Sequence, residues 1–368
     1  MRESWESRQF DWGLLLPVVA LGMIGVIVLY SASASAPAHL QKMLCIKQAV
    51  WFVLGLVLAG GSLLFHYKRL DNWAIVIYIF SMALLVSVLL WGKAAGGSTR
   101  WLPMGPVAIQ PSELAKIAMI IILARYYAKQ ATADGLGIKK LLVPILLVGI
   151  PFVLIGMQPD LGTAMLLALI ATVVTLFIKV QKRTLYLMGG VMGVLLALGW
   201  FFLLKEYQKQ RVLTFLNPDR DPLGAGYHII QSKIAIGSGM VFGKGFMQGT
   251  QNALAFLPEQ HTDFILSVMA EEWGLVGVSV ALFLYLLIII WGISIGYQCK
   301  DNFGIILAVG VTAMIFWHVV VNVGMVMGLL PVVGVPLPLI SYGGSSVVTF
   351  MLGIGLLLNI SMRRSGVE

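Results

Sequence analysis

HTDFILSVMAEEWGLVGVSVALFLYLLIIIWG, residues 261–292, sets one carboxylate at the mouth of an apolar run and two more inside it. From Trp273 to Cys299 there is no charged side chain, a stretch longer than the roughly 20 residues that cross a bilayer. Such a run belongs in lipid. Asp263, Glu271 and Glu272 then lie where charge is costly, which makes each a functional candidate unless neighbouring helices satisfy it.

The rest of the chain reads the same way. Of 368 residues 59% are hydrophobic and 11% charged, against roughly 25% charged in a soluble domain. A solvated surface cannot be built from so few charges. The 40 Gly and 10 Trp fit close helix packing in lipid and anchoring at its interface. Apolar runs fall at about 12–30, 44–65, 73–91, 112–128, 141–157, 161–178, 185–204, 263–292, 303–330 and 341–361. They predict an all-α integral membrane protein, a polytopic bundle of about ten transmembrane helices forming one domain over residues 1–368. The first run is read as a span rather than a cleaved signal peptide, because apolar runs continue along the chain.

An even number of spans puts both termini on one side. Connectors on that side carry Arg69, Lys139, Lys140, Lys182, Arg183 and Lys300, while the short connectors opposite carry Lys42, Lys93 and Arg100. The bias makes the termini cytoplasmic and leaves a long outer loop, about 205–262, between the seventh and eighth spans. The net charge of +9 is explained first by anchoring at the cytoplasmic face, and nucleic acid is not an expected partner. Basic residues left outside favour an anionic partner there. Cys45 and Cys299 fall near opposite faces, so neither a disulfide nor a metal pair is expected.

Within the outer loop Tyr227–Ile236 has the spacing of a short amphipathic helix lying on the interface, with Lys233 near lipid headgroups. The Gly-rich stretch after it is no nucleotide loop, because Ser238 and Gly245 stand where a P-loop needs Gly and Ser/Thr. HExxH, CxxC and GxSxG are all missing, so metalloprotease, thiol-redox and serine-hydrolase readings lack support.

Four polar interruptions remain. In Gln110-Pro111-Ser112-Glu113-Leu114-Ala115-Lys116, Glu113 and Lys116 share a helix face and could be either a stabilising pair or a site. Asp160 of Gln158-Pro159-Asp160 is a candidate helix cap or ligand. Asp263 follows His261-Thr262, where His261 alone proves little. Pro331–Ser346, with Ser341 near its end, is too rich in Pro and Gly for a regular helix. At membrane depth such backbone must be buried in protein or line a cavity.

QPSELAK (110–116), QPDLGT (158–163), DPLGAGYHIIQSKIAIGSG (221–239), LPEQHTDF (257–264), AEEWGLVG (270–277) and LPVVGVPLPLISYGGSS (330–346) resemble, in order, the motifs of the SEDS family of shape, elongation, division and sporulation proteins. IGSG, the GTQ at 249–251 and PVVGVPLP resemble its RodA branch more than the division paralogue FtsW. The resemblance implies a peptidoglycan glycosyltransferase of the bacterial inner membrane that polymerises lipid II beside a class B penicillin-binding protein and other elongation-complex membrane proteins. It puts the essential aspartate on Asp263, the Glu/Lys pair on Glu113 and Lys116, and an acidic residue on Asp160.

The chemistry demands matching groups. Turning an α-linked sugar diphosphate into a β-1,4 link inverts the anomeric carbon, so one base on the acceptor hydroxyl suffices and the diphosphate leaves without a second acid. Asp263, partly desolvated at the membrane boundary, is the expected base. Positive charge for the diphosphate is expected from Lys116, Arg211, Lys233 or a divalent cation, Mg or Mn, held by Asp263. A flippase of lipid-linked sugars or a non-catalytic scaffold are the rival classes. A flippase predicts essential residues at both faces.

Overall fold

The computed structural model describes residues 10–95, 98–104, 107–130, 135–203, 206–217, 225–254 and 260–363. Three helices open it: α1 (Trp12–Ala32), α2 (Ala38–Ser62) and α3 (Arg69–Trp91). A connector of three short strands follows, β1 (Lys93–Ala95), β2 (Ser98–Met104) and β3 (Val107–Ile109). Next come α4 (Pro111–Gln130), α5 (Ile138–Met157), α6 (Leu161–Phe177) and α7 (Lys182–Leu198), the last continued by a π turn over Gly199–Leu203. The segment expected as the outer loop holds α8 (Glu206–Leu216), α9 (Ala225–Gly239) and the single turn α10 (Thr250–Ala253). α11 (Ile265–Gln298), α12 (Asn302–Val326) and α13 (Gly344–Arg363) complete the bundle.

Every expected span coincides with a helix, yet they are not alike. Among the described residues seven helices are long and apolar enough to cross a membrane: α1, α2, α3, α5, α11, α12 and α13. α6 is apolar but shorter, and α4 carries Glu113, Lys116, Arg125 and Lys129. α12 and α13 are buried along most of their length, whereas α2, α3 and α5 expose large apolar side chains such as Val57, Phe80 and Leu146. An apolar outer surface around a packed centre is the pattern of a chain solvated by lipid.

Local chemistry accounts for the helix ends. Pro111 opens α4, where a missing N–H costs nothing. The Asp160 carboxylate caps α6 by accepting from the Thr163 N–H at 3.3 Å, and Asp301 caps α12 through Gly304 N–H at 3.1 Å.

Three expectations need correction. The all-α reading misses the meander β1-β2-β3, whose antiparallel pairs include Ala95↔Ser98 and Pro103↔Ala108. Its strands are too short to show a period, although a Gly-Gly pair between β1 and β2 was a usable hairpin signal. The last span begins at Gly344 rather than 341, because the Pro-rich chain before it stays non-helical. The expected outer loop is largely helical among its described residues, and α9 is packed rather than merely interfacial: Ser232 Oγ donates to Val326 O at 2.6 Å and lies 2.9 Å from Ser267 Oγ.

α11 is broken inside, at Gly274, whose φ of 65° and ψ of −164° only Gly adopts cheaply. The break frees backbone groups that lipid could not satisfy. Residues 240–245 supply partners: Leu275 and Val276 N–H donate to Met240 O and Val241 O at 2.9 and 3.1 Å, and Lys244 and Gly245 N–H donate to Glu271 O and Glu272 O, each at 3.0 Å. Residues 240–245 are thereby stitched onto the helix by their backbone.

Candidate functional site

Asp263 lies just before α11, half-buried, where that helix meets the non-helical chain 331–343. A methyl group on Gly334, itself at φ +70°, would stand 3.3 Å from Asp263 Oδ2, so this glycine leaves the carboxylate its room. Asn322 of α12 fixes the two segments at once. Its Nδ2 donates to Asp263 O at 3.0 Å and to Val335 O at 2.7 Å.

The remaining ties use residues 341 and 342. Ser341 Oγ donates to Thr262 O at 2.6 Å and accepts from Leu337 N–H at 2.8 Å. Tyr342 N–H donates to His261 O at 3.0 Å, and the His261 and Tyr342 rings lie 6.1 Å apart. From α2, Gln48 donates to Ser341 O at 3.1 Å and accepts from Gly343 N–H at 3.3 Å. Several backbone groups of this irregular segment thus find partners in protein, as irregular backbone at membrane depth must. Ser341 and His261 position the segment that carries Asp263.

On the other side of the same segment, Gly162 of α6 packs so tightly on Val333 O that no side chain fits. The Val333–Gly334 unit therefore lies between the start of α6 and Asp263. Asp160, at the start of α6, accepts from Thr163 Oγ1 at 2.9 Å and Gln110 Nε2 at 3.4 Å, with Arg100 Nη1 at 3.8 Å. Its carboxylate is committed to capping and to holding Arg100, a residue of β2 that is about a quarter exposed.

Glu113 and Lys116 are sealed in the bundle. Lys116 is fully buried, its Nζ 2.8 Å from Glu113 Oε1 and 2.6 Å from His318 Nε2. The expectation that Lys116 faces a diphosphate does not fit, because its ammonium is enclosed by this chain's own side chains. His318 and Asn322 are one turn apart on α12, about 6 Å along its axis. The Glu113–Lys116–His318 cluster thus sits one turn from the residue that holds Asp263.

Two further expectations part from this centre. Glu271 turns to the outer segment, accepting from Lys244 Nζ at 2.7 Å, Thr250 Oγ1 at 3.1 Å and Gln251 N–H at 3.1 Å, and Asn252 donates to Glu272 at 3.4 Å. These carboxylates hold the loop to α11. Lys233 is exposed on α9, its ammonium beside Gly328 at the end of α12. Arg211 belongs to α8, and its side chain lies outside the described residues, as do Leu257–Glu259 of the LPEQHTDF motif.

Sequence reading passed over Gln48, His318 and Asn322, and named Arg100 only as one of the basic residues outside. A signal existed for His318 and Asn322, since a His and an Asn at i, i+4 inside an apolar run are polar groups that must find partners. For a divalent ion the donor set is thin: among the described residues no three His, Cys, Asp or Glu side chains gather. Asp263 alone does not make a metal cage.

Comparison with known proteins agrees with this architecture. The family model for cell cycle proteins of the FtsW, RodA and SpoVE type matches residues 12–366. The chain is 41% identical over 360 residues to the peptidoglycan glycosyltransferase MrdB of Escherichia coli, covering 98% of this chain and 95% of the relative. It is 36% identical to the peptidoglycan glycosyltransferase RodA of Treponema pallidum, covering 96% and 98%. The solved RodA of Thermus thermophilus superposes with a TM-score of 0.73 at 30% identity, covering 99% and 100%. A chain from a structure described as structural coordination of polymerization and crosslinking by a peptidoglycan synthase complex gives a TM-score of 0.83 at 32% identity, covering 97% and 98%. Motifs, helices and relatives converge, and the chain belongs to the FtsW/RodA/SpoVE family, the SEDS family that its motifs resemble.

Proposed function

We propose that this multi-pass membrane enzyme, a glycosyltransferase, joins lipid II units into glycan strands at the outer face of the bacterial cytoplasmic membrane. The reaction inverts the anomeric carbon and releases undecaprenyl diphosphate, with Asp263 as general base. The observation that carries the reading is the seating of Asp263 where α11 meets the irregular segment 331–343, with its carboxylate so close to Gly334 that a side chain there would crowd it.

Asp263 takes the proton of the acceptor 4-hydroxyl as that oxygen attacks the donor sugar, and the diphosphate departs with the bonding pair. Asn322, Ser341 and Tyr342 hold the base by its backbone, so little reorganisation is needed as charge develops. Positive charge for the diphosphate comes from exposed Lys233 and from Arg100, partly exposed beside Asp160, while the sealed Glu113–Lys116–His318 cluster positions α4 against α12. A single domain of ten spans with cytoplasmic termini puts these groups outside. The RodA branch is favoured over FtsW by the IGSG, GTQ and PVVGVPLP stretches, and a lipid flippase is disfavoured because the irregular polar segments gather at one face. Purified protein given lipid II, with and without a class B penicillin-binding protein, tests the reading by glycan polymer on a gel. No polymer in either arm overturns it.

The topology has its own check. Asn252, an obvious loop position, is buried and bonded to Ser31 O at 2.7 Å, so a cysteine there would be a poor reporter. Phe242 is 83% exposed. Phe242→Cys in a Cys45→Ser, Cys299→Ser background should label with an impermeant thiol reagent in intact spheroplasts. Labelling only after lysis reverses the orientation.

The crosslinking partner binds along α11 and α12. Gly274, Gly277, Gly324 and Gly328 suggest themselves for close helix approach, but each is already covered by this chain, through Val241, Trp273, Leu330 and Lys233. What stays open is an apolar groove of about 430 Å³ lined by Leu282, Val319, Val320, Val323 and Leu329. A single-span partner helix fits that chemistry. Leu282→Trp with Val320→Trp should cut co-purification with the partner about tenfold, the loss of one well-packed contact. Unchanged recovery places the partner elsewhere.

A further inference from the structure

The face that carries the termini has a cavity the glycosyl-transfer chemistry does not use. It measures about 660 Å³ and lies between the first turns of α5 and α7, lined by Ile138, Lys139, Lys140, Gln181, Arg183 and Leu187. No acidic side chain lines it among the described residues.

Backbone pairing creates the site. Leu136 N–H donates to Lys179 O at 2.8 Å and Gln181 N–H donates to Leu136 O at 3.2 Å, a parallel bridge between the two approaches to the helices. Two helix N-termini are thereby set side by side, and their positive ends add to three cationic side chains. Lys140 is half-buried, and Lys139 and Arg183 are exposed where they line the cavity.

Below this rim the surroundings turn apolar. Ile138, Leu142, Leu185 and Leu187 are all exposed. On α7 Thr184 is the only buried side chain among those described, and Gly189, Gly190 and Gly193 have nothing against them. α7 thus leaves a cleft beside α5 that is cationic at its mouth and greasy beneath. A ligand matching both halves carries an anionic phosphate head and alkyl chains.

We propose that this cleft is a binding site for an anionic glycerophospholipid of the leaflet at the terminal face, its phosphate held by Lys139, Lys140 and Arg183 and its acyl chains laid between α5 and α7. The lipid fills the gap that α7 leaves and fixes that helix against the bundle. A juxtamembrane basic residue contributes about fivefold in affinity for an anionic lipid, so removing three should weaken binding by about 100-fold.

The full chain, delipidated in detergent and refed with equal phosphatidylglycerol and phosphatidylethanolamine, would be read by native mass spectrometry for retained lipid. Phosphatidylglycerol should dominate on the unmodified protein and disappear from Lys139→Gln, Lys140→Gln, Arg183→Gln. The charge-keeping variant Lys139→Arg, Lys140→Arg, Arg183→Lys should retain it. A control variant, Arg69→Gln, Lys129→Gln, Lys300→Gln, removes exposed charges from the same face and should also retain it. No preference for phosphatidylglycerol, or equal loss in the control, overturns the site in favour of diffuse surface attraction. Added undecaprenyl diphosphate gives the last arm: if it alone is held by the three residues, the ligand is a lipid-linked diphosphate and the proposal fails.

Discussion

Asp263→Asn is expected to leave a folded, membrane-inserted protein that polymerises lipid II at least 10²-fold more slowly, the lower end of what a positioned general base contributes. The substitution keeps size and every backbone tie, since Asn322 donates to the Asp263 carbonyl and not to its side chain. What it removes is basicity. Polymer formation in the presence of the penicillin-binding partner is the measurement, with co-purification of that partner as the control for folding. A folded variant that polymerises near the normal rate would falsify the assignment. Recovery on changing the divalent ion would instead assign Asp263 to holding a cation.

Lys116→Met should cost stability first and activity as a consequence. The substitution strands the Glu113 carboxylate, whose Oε1 depends on Lys116 and whose Oε2 is buried with no protein partner. Breaking a buried pair from one side costs about 3–5 kcal/mol, because a charge is left without compensation. The expected readout is a clear drop in thermal unfolding temperature, with polymerisation reduced at temperatures where the protein is still folded. Glu113→Gln combined with Lys116→Met removes both charges and should recover most of the stability. If the double variant is as unstable as Lys116→Met alone, the stranded Glu113 charge is not the source of the loss. Partial recovery of stability without recovery of activity would show that the charges position the site beyond merely packing it.

How much was legible beforehand follows from the kind of interaction involved. The spans were readable because lipid forces long apolar runs on any chain that crosses it, and α1, α2, α3, α5, α11, α12 and α13 stand where those runs stand. The cap at Asp160 and the irregular chain before α13 were readable too, since both follow from local backbone chemistry. The strands 93–109 were not, because pairing among three- to seven-residue strands leaves almost no periodic trace.

The sequence by itself determined the membrane class, the order of the spans, the family motifs and the polar residues worth watching. Charges in hydrocarbon stand out without coordinates, because lipid makes any unpartnered one costly wherever it lies in a span. Only the tertiary structure decided what each of those residues faces. It brought Val333–Gly334 between Gly162 and Asp263, enclosed Lys116 between Glu113 and His318, and turned Glu271 toward Lys244 and away from the Asp263 segment. Which partner satisfies a buried charge depends on helices far apart in sequence, as Lys116 and His318 are, and no local pattern encodes that choice.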